Sequence, residues 1–436
     1  MLYQAAWAAC ASVALAAAVL TQAEPATKDL GPKSELSARD LKELGGFLGK
    51  ALDPEKQDYK DKEKNVAELR RFLEKAGKTR NPKDPLQGGL ALCEDLSRGL
   101  HIANEYKLAG TKPGQVAKVE LLPKTNPVAY SIWLPKTYRA DQEPFPVLMC
   151  FPGTKDGKVS SGEAFLQDHW TEAAVREKYV IVALNLPEDV KSWTEGQTAD
   201  GKHGGVAIAM LTLKELGAKH AIDFDRIYLA GREAGVAAAL SLGAKFPQNF
   251  AGVVGRSGDC GDTPVNNFRC LPTFFAGAGA QATAFAEANK TAGYENCTLK
   301  PDGTDLDAIA WMDAHPRQAN PAKVTLYPGR PIPLRAYWMK VQPTDVGAAE
   351  YKIEGEIDRA TNTVTITSSG VRQVTLMLND VLLNLDKPVK IVLNGTAQDA
   401  LLPRSLDDML SMMYSGLSEP GRIYVFRKEF DLPVAK

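Results

Sequence analysis

Apolar positions change their period twice along the chain. Between Ser34 and about Tyr106 they recur every three or four residues, in SARDLKELGGFLGKAL, NVAELRRFLEKAG and LALCEDLSRGLHIANEY, which predicts three charged, one-faced helices. After Gly114 the period falls to two, in VAKVELL and AYSIWLP. Short apolar runs then follow at Val147–Phe151, Tyr179–Leu184 and Ile227–Ala230, and two more short strands at Phe250–Val254 and Leu271–Phe275. Helical stretches such as GEAFLQDHWTEAAVREK and GGVAIAMLTLKELGAKH separate them. Strands without a polar face, alternating with helices, predict a mostly parallel sheet covered by helices on both faces. From about Pro321 alternation returns, in KVTLYP, YKIEGEID, NTVTITS, QVTLMLN and VKIVLNG, with turns at Arg359–Asn362 and Asn394-Gly395 and a short helix near Ser405–Tyr414. This predicts a small β-rich, sandwich-like unit. The layout is therefore a helical region over 24–110, an α/β domain over 111–319 and a β-rich domain over 320–436.

The first residues do not belong to that scheme. The apolar run from Ala5 to Leu20 is shorter than a bilayer span needs, and the small residues around Ala23 suit a signal peptidase. A signal peptide over 1–23, export to the periplasm, cell surface or medium, and no membrane attachment after cleavage are the expectations. Cleavage leaves five of the six cysteines, an odd number. Cys260 and Cys270, which bracket a polar loop, are the expected disulfide, and Cys150 lies in a hydrophobic strand. A net charge of −1 gives no footprint for nucleic acid. No cysteine or histidine spacing suggests a metal, and no motif calls for a cofactor, which leaves a small molecule or a polymer as the expected ligand.

The chemistry should lie in DRIYLAGREAGVAAALS. An apolar strand runs into Gly231-Arg232-Glu233-Ala234-Gly235 and then an alanine-rich helix, the layout of a nucleophile elbow. The elbow glycines Gly231 and Gly235 allow a sharp turn and close helix–strand packing, and the residue between them is held over the carboxyl ends of the strands. Together with SIWLPKTYRADQEPFPVLMCFPGT and KFPQNFAGVVGRSGD, the segment IDFDRIYLAGREAG resembles the esterase branch of the α/β-hydrolase superfamily, related to feruloyl and polyhydroxybutyrate esterases and prolyl-oligopeptidase catalytic domains. The resemblance covers 115–315, less than half the chain. It implies an α/β-hydrolase fold, a serine nucleophile at the elbow, and an oxyanion site made by Ala234 and the loop from Phe151 to Gly153, with Arg232 beside it.

Each triad position departs from that pattern. Glu233 stands where serine should. The acid is expected after LPTFFAGAG, where Ala280-Gln281-Ala282 offers no carboxylate. The histidine is expected just before the helix that begins at Asp305, and Tyr294–Gly303 contains none. An ionised Glu233 at a helix N-terminus is a poor general acid, and pairing with Arg232 is the expected state of its carboxylate. His203, at a helix start near the active edge, is the leading candidate base, with His315 behind it. His101, His169 and His220 read as helix surface, end or packing residues, Ser257 as a loop serine, and Trp170 and Trp193 as core or lid. The sequence thus predicts an exported α/β-hydrolase-like protein that has lost its triad and binds or scaffolds; the alternative is a carboxylic-ester or peptide hydrolase with a non-standard site around Glu233.

Overall fold

The computed structural model describes residues 34–53, 59–104, 106, 111–122, 128–155, 158–186, 193, 203–277, 279–327, 334–343 and 351–433. The expected leader at 1–23 lies outside the described residues.

An eight-stranded sheet forms the centre. In chain order its strands are β1 (Val116–Leu122), β2 (Val128–Trp133), β3 (Phe145–Phe151), β4 (Val180–Asn185), β5 (Ile222–Arg232), β6 (Gly252–Arg256), β7 (Thr273–Ala276) and β8 (Cys297–Lys300). Their spatial order is β1-β2-β4-β3-β5-β6-β7-β8. Only the pairings of β2 are antiparallel; every other neighbour is parallel. Successive side chains leave opposite faces of a strand, so each apolar run feeds two cores. Leu148, Cys150, Tyr228 and Ala230 pack on one side with Phe165 and Met312. Val147, Met149, Ile227 and Leu229 pack on the other with Leu216 and Leu240. Strand β8 reads as loop in the sequence; it is short, lies at the sheet edge and buries neither face fully, so its composition carries little apolar signal.

The remaining chain forms one further unit. Two sheets face each other. One orders Lys323–Leu326, Lys352–Asp358, Thr363–Ser369, Val389–Leu393 and Thr396–Ala400; the other orders Arg335–Ala336, Met339–Pro343, Val371–Leu378 and Phe426–Asp431. Asn362 and Asn394, at the two expected turns, take φ of 53° and 46°, a left-handed conformation that asparagine tolerates. The N-terminal helices do not form a region of their own. Leu44 and Leu48 of Ala38–Leu52 and Leu69, Phe72 and Leu73 of Tyr59–Gly77 share a single core with Ile353, Val364, Leu376 and Met409. Gln87 closes the junction by donating through Nε2 to the Arg404 carbonyl (2.7 Å) and accepting the Arg404 N–H (2.8 Å). Their amphipathic faces demand a partner, and that partner is the C-terminal sandwich.

This unit meets the central sheet at the amino ends of its strands. Arg317, with no exposed side-chain surface, pairs with Asp225 Oδ1 at 2.9 Å and with Glu419. It also donates to the Gln248 carbonyl at 2.9 Å, which Arg422 reaches at 2.8 Å. The Tyr337 hydroxyl donates to the carbonyls of Pro247 and Cys270.

Cys260 and Cys270 stand as free thiols rather than as a disulfide. Cys260 is buried in the α/β core, whereas Cys270 packs against the core of the helix–sandwich unit and donates to the Lys323 carbonyl at 3.0 Å. The loop between them spans two cores instead of folding back. Among the described residues no group of three His, Cys, Asp or Glu side chains converges to hold a metal ion, and no helix is long and apolar enough to cross a membrane.

Candidate active site

Strand β5 ends in the elbow. Glu233 has φ of 51°, a strained conformation for a residue with a side chain. A β-carbon on Gly231 would run into the Gly235 carbonyl, and one on Gly235 into the Phe151 carbonyl, so neither position admits a larger residue. The helix Gly235–Lys245 starts immediately beneath, with Ala234 at its N-cap. The backbone device inferred from the sequence is therefore complete, with Glu233 and Ala234 exposed at its tip.

The Glu233 side chain leans across β3. Its Oε2 lies 2.5 Å, and the Arg232 carbonyl 2.9 Å, from where a Gly153 β-carbon would stand, so a larger residue at 153 would press on both. The carboxylate thus rests over the Phe151–Gly153 loop, in the space the resemblance assigns to an oxyanion. Its own backbone N–H donates to the Arg256 carbonyl (3.1 Å).

Arg232 does not pair with Glu233, contrary to expectation. Its Nη2 lies 3.5 Å from Asp305 Oδ2, and Arg256 Nε, from the tip of β6, lies 2.8 Å from Asp305 Oδ1. The elbow turn begins at Glu233, whose φ of 51° carries its side chain away from the strand, while Arg232 is still the last residue of β5. Asp305, 9% exposed, is the first residue of the helix Asp305–Ala314. It follows directly on the stretch where the histidine of a triad is expected. The Pro301–Thr304 loop before it holds no histidine, and no carboxylate stands at Gly277 or from Gly279 to Ala282 after β7.

The histidines fall in different places. His315 closes the far end of its helix, with Nδ1 2.7 Å from the Trp311 carbonyl and its ring stacked on Trp311. His101 Nδ1 meets the Tyr106 hydroxyl at 3.0 Å in the N-terminal region. His220 is no surface residue: it is 1% exposed, and neither ring nitrogen has a hydrogen-bond partner. His203 lies just before the helix Gly205–Lys219; Gly205 packs on the backbone of Trp193, whose ring meets Phe151 edge-on at 5.3 Å. This places His203 at the carboxyl edge. His169, which the sequence gives no reason to single out, has Arg232 and Glu233 of the elbow among the charges around it. Burial lowers its pKa first and Arg232 lowers it further, while Asp168, Asp305 and Glu233 pull it up. Trp170 and Trp193 are buried packing residues, as expected.

Ser257 is the other residue that sequence reasoning undervalued. It follows β6 with φ of 49°, exposed, and its Oγ lies 2.6 Å from where a Gly277 β-carbon would stand. The signal was present: Gly231-Arg232-Glu233 and Gly255-Arg256-Ser257 repeat one pattern at two strand tips.

The strand order, the lone antiparallel β2 within the first six positions, the covering helices and the elbow define an α/β-hydrolase fold. No family model matches the sequence, and no curated protein does. Solved structures do. A thermostable esterase aligns with TM-score 0.36 and 16% identity over 46% of this chain and 63% of its own, so this chain spans less than two thirds of that protein. An S-formylglutathione hydrolase from Agrobacterium tumefaciens aligns with TM-score 0.35 and 15% identity over 45% of this chain and 91% of its own. A poly(3-hydroxybutyrate) depolymerase from Bordetella parapertussis, LpqC, aligns with TM-score 0.34 and 18% identity over 46% of this chain and 88% of its own.

Proposed function

We propose that this chain is an exported, non-catalytic α/β-hydrolase homologue that uses the crevice at the carboxyl edge for binding, or its scaffold for assembly. One observation carries the reading: Glu233 stands at the nucleophile position with its carboxylate against Gly153, and the loop before the helix that begins at Asp305 carries no histidine. Acyl transfer needs a nucleophile, a proton shuttle and an orienting acid acting as a unit. None of the three is in its place here. The test is turnover of p-nitrophenyl acetate, longer acyl esters and feruloyl esters by the full chain. Rates at background are expected, and Glu233→Ser alone should leave them there because a hydroxyl without a base stays protonated. Robust wild-type turnover abolished by Glu233→Ala would overturn the reading.

A second reading is supported by the strain at Glu233, since a strained tip persists where surrounding structure maintains it for use. It makes the protein a carboxylic-ester or peptide hydrolase with Glu233 as nucleophile and a histidine as base. His169, whose surroundings include the charge of Glu233, joins His203 and His315 among the histidines to test. Wild-type turnover lost in both Glu233→Ala and His169→Ala would establish it.

A further inference from the structure

The tips of β5 and β6 are built alike and tied to one carboxylate. Their strands pair in register, Gly231 with Gly255 and Arg232 with Arg256. The residue after each arginine is left-handed, at 51° for Glu233 and 49° for Ser257. Because the arginines are register partners on parallel strands, both guanidiniums leave the same face. They converge on Asp305, Arg256 at 2.8 Å and Arg232 at 3.5 Å. Arg256 Nη1 also donates to the Gly303 carbonyl at 2.5 Å, which fastens the cluster to the loop before Asp305. The three side chains are 20%, 14% and 11% exposed for Arg232, Arg256 and Asp305.

Two guanidiniums beside the N-terminus of an eleven-residue helix would ordinarily make a seat for a carboxylate or a phosphate. Here Asp305 lies within ion-pair distance of both arginines, with Arg232 Nε, Arg256 Nε and Asp305 Oδ1 making no hydrogen bond, and the Glu233 carboxylate lies against Gly153. Asp305 offsets one of the two positive charges, and Glu233, which pairs with neither arginine, adds a second negative charge at the tip. We propose that Asp305 is the specificity-determining residue of this crevice: it holds both tip arginines to itself and so turns anionic ligands away, leaving Glu233 and Ser257 at the mouth. This inference concerns which charge the crevice accepts and holds whether or not the crevice catalyses.

Inorganic phosphate is the probe, titrated calorimetrically into the full chain at fixed ionic strength. Wild type should show no saturable binding, whereas Asp305→Asn, which keeps the size and removes the charge, should bind at least about ten-fold more tightly. Adding Arg256→Gln should return the affinity to wild type. A folded Asp305→Asn protein with unchanged phosphate affinity, or a wild type that binds phosphate as well as the variant, overturns the proposal. Should Asp305→Asn not fold, thiol titration of Glu233→Cys decides. With Arg232 held by Asp305, adding Arg232→Gln should move the pKa of the introduced thiol by less than about 0.3 unit; a rise of about one unit would show a free guanidinium at the elbow and overturn the idea. Ester turnover is scored separately, so loss of the non-catalytic reading leaves these results interpretable.

Discussion

The two edges of the central sheet handle charge in opposite ways. At the amino edge, Arg317 and Arg422 have no exposed side-chain surface and are shared among Asp225, Glu419 and the Gln248 carbonyl. Burial pushes the Glu419 carboxyl up, but Arg422 and Arg317 outweigh it and hold its pKa below the ordinary value. At the carboxyl edge the arginines keep some surface and Glu233 is exposed. Asp225 lies near the start of β5 and Glu233 just past its end, roughly 25 Å apart at ~3.3 Å per residue. The amino edge is built to join two units permanently. The carboxyl edge uses backbone strain to present side chains, and the described residues of the helix–sandwich unit dock at the opposite edge.

The largest test of this contrast breaks the amino edge. Arg317→Ala removes one partner of a buried network, leaving Glu419 to Arg422 and taking from Asp225 its arginine partner. It should cost about 3–5 kcal/mol in denaturant unfolding, whereas Arg232→Ala at the opposite edge should cost far less. A loss under ~1 kcal/mol for Arg317→Ala would show that the latch is not what joins the units.

His220 gives the amino edge a pH dependence. It caps the helix leading into β5, packs edge-on to Tyr138 at 6.2 Å, and burial lowers its pKa from 6.5 to about 4, with Glu215 opposing and Lys219 assisting. The unfolded chain therefore binds a proton that the folded chain refuses. Stability is complete above pH 6.5 and falls as pH drops from 6.5 toward 4, by on the order of 3 kcal/mol. Comparing wild type with His220→Phe at pH 7 and pH 4.5 isolates this share. Equal acid sensitivity in the two proteins would remove His220 from the account.

The smallest effect belongs to the carboxyl edge. Glu233→Gly relieves the left-handed strain and should raise stability by about 1 kcal/mol. A decrease would mean that the carboxylate over Gly153 stabilises the tip more than the strain costs it.

The sheet and the elbow could be read before any coordinates because both write themselves locally. Wholly apolar runs of four to six residues and the Gly231/Gly235 pair are short-range signals. Glu233 at the tip was equally plain. The arginine clamp was not, because its acid lies 73 residues from Arg232 and, as the first residue of a helix, looks like an ordinary dipole-matching carboxylate. Ser257 was passed over because a left-handed serine has no local signature beyond the repeated Gly-Arg. The pairing of Cys260 with Cys270 failed for a related reason: sequence distance says nothing about which core each thiol joins. Amphipathic helices in the N-terminal region announced that they bury a face, and nothing in them named the sandwich hundreds of residues later as the partner.

That last contact has a consequence for synthesis. Gln87 and Arg404 are joined across 317 residues, and the first helices of the described chain complete a core whose other half is translated only after the central sheet. The α/β-hydrolase domain is an insertion within this helix–sandwich unit. It can bury its own two cores while the ribosome is still working, but Leu44, Leu48, Leu69 and Phe72 must wait, apolar face uncovered, until the sandwich strands emerge. Cutting the chain near residue 320 would therefore strand those helices, and a self-sufficient α/β fragment has to shed both ends at once.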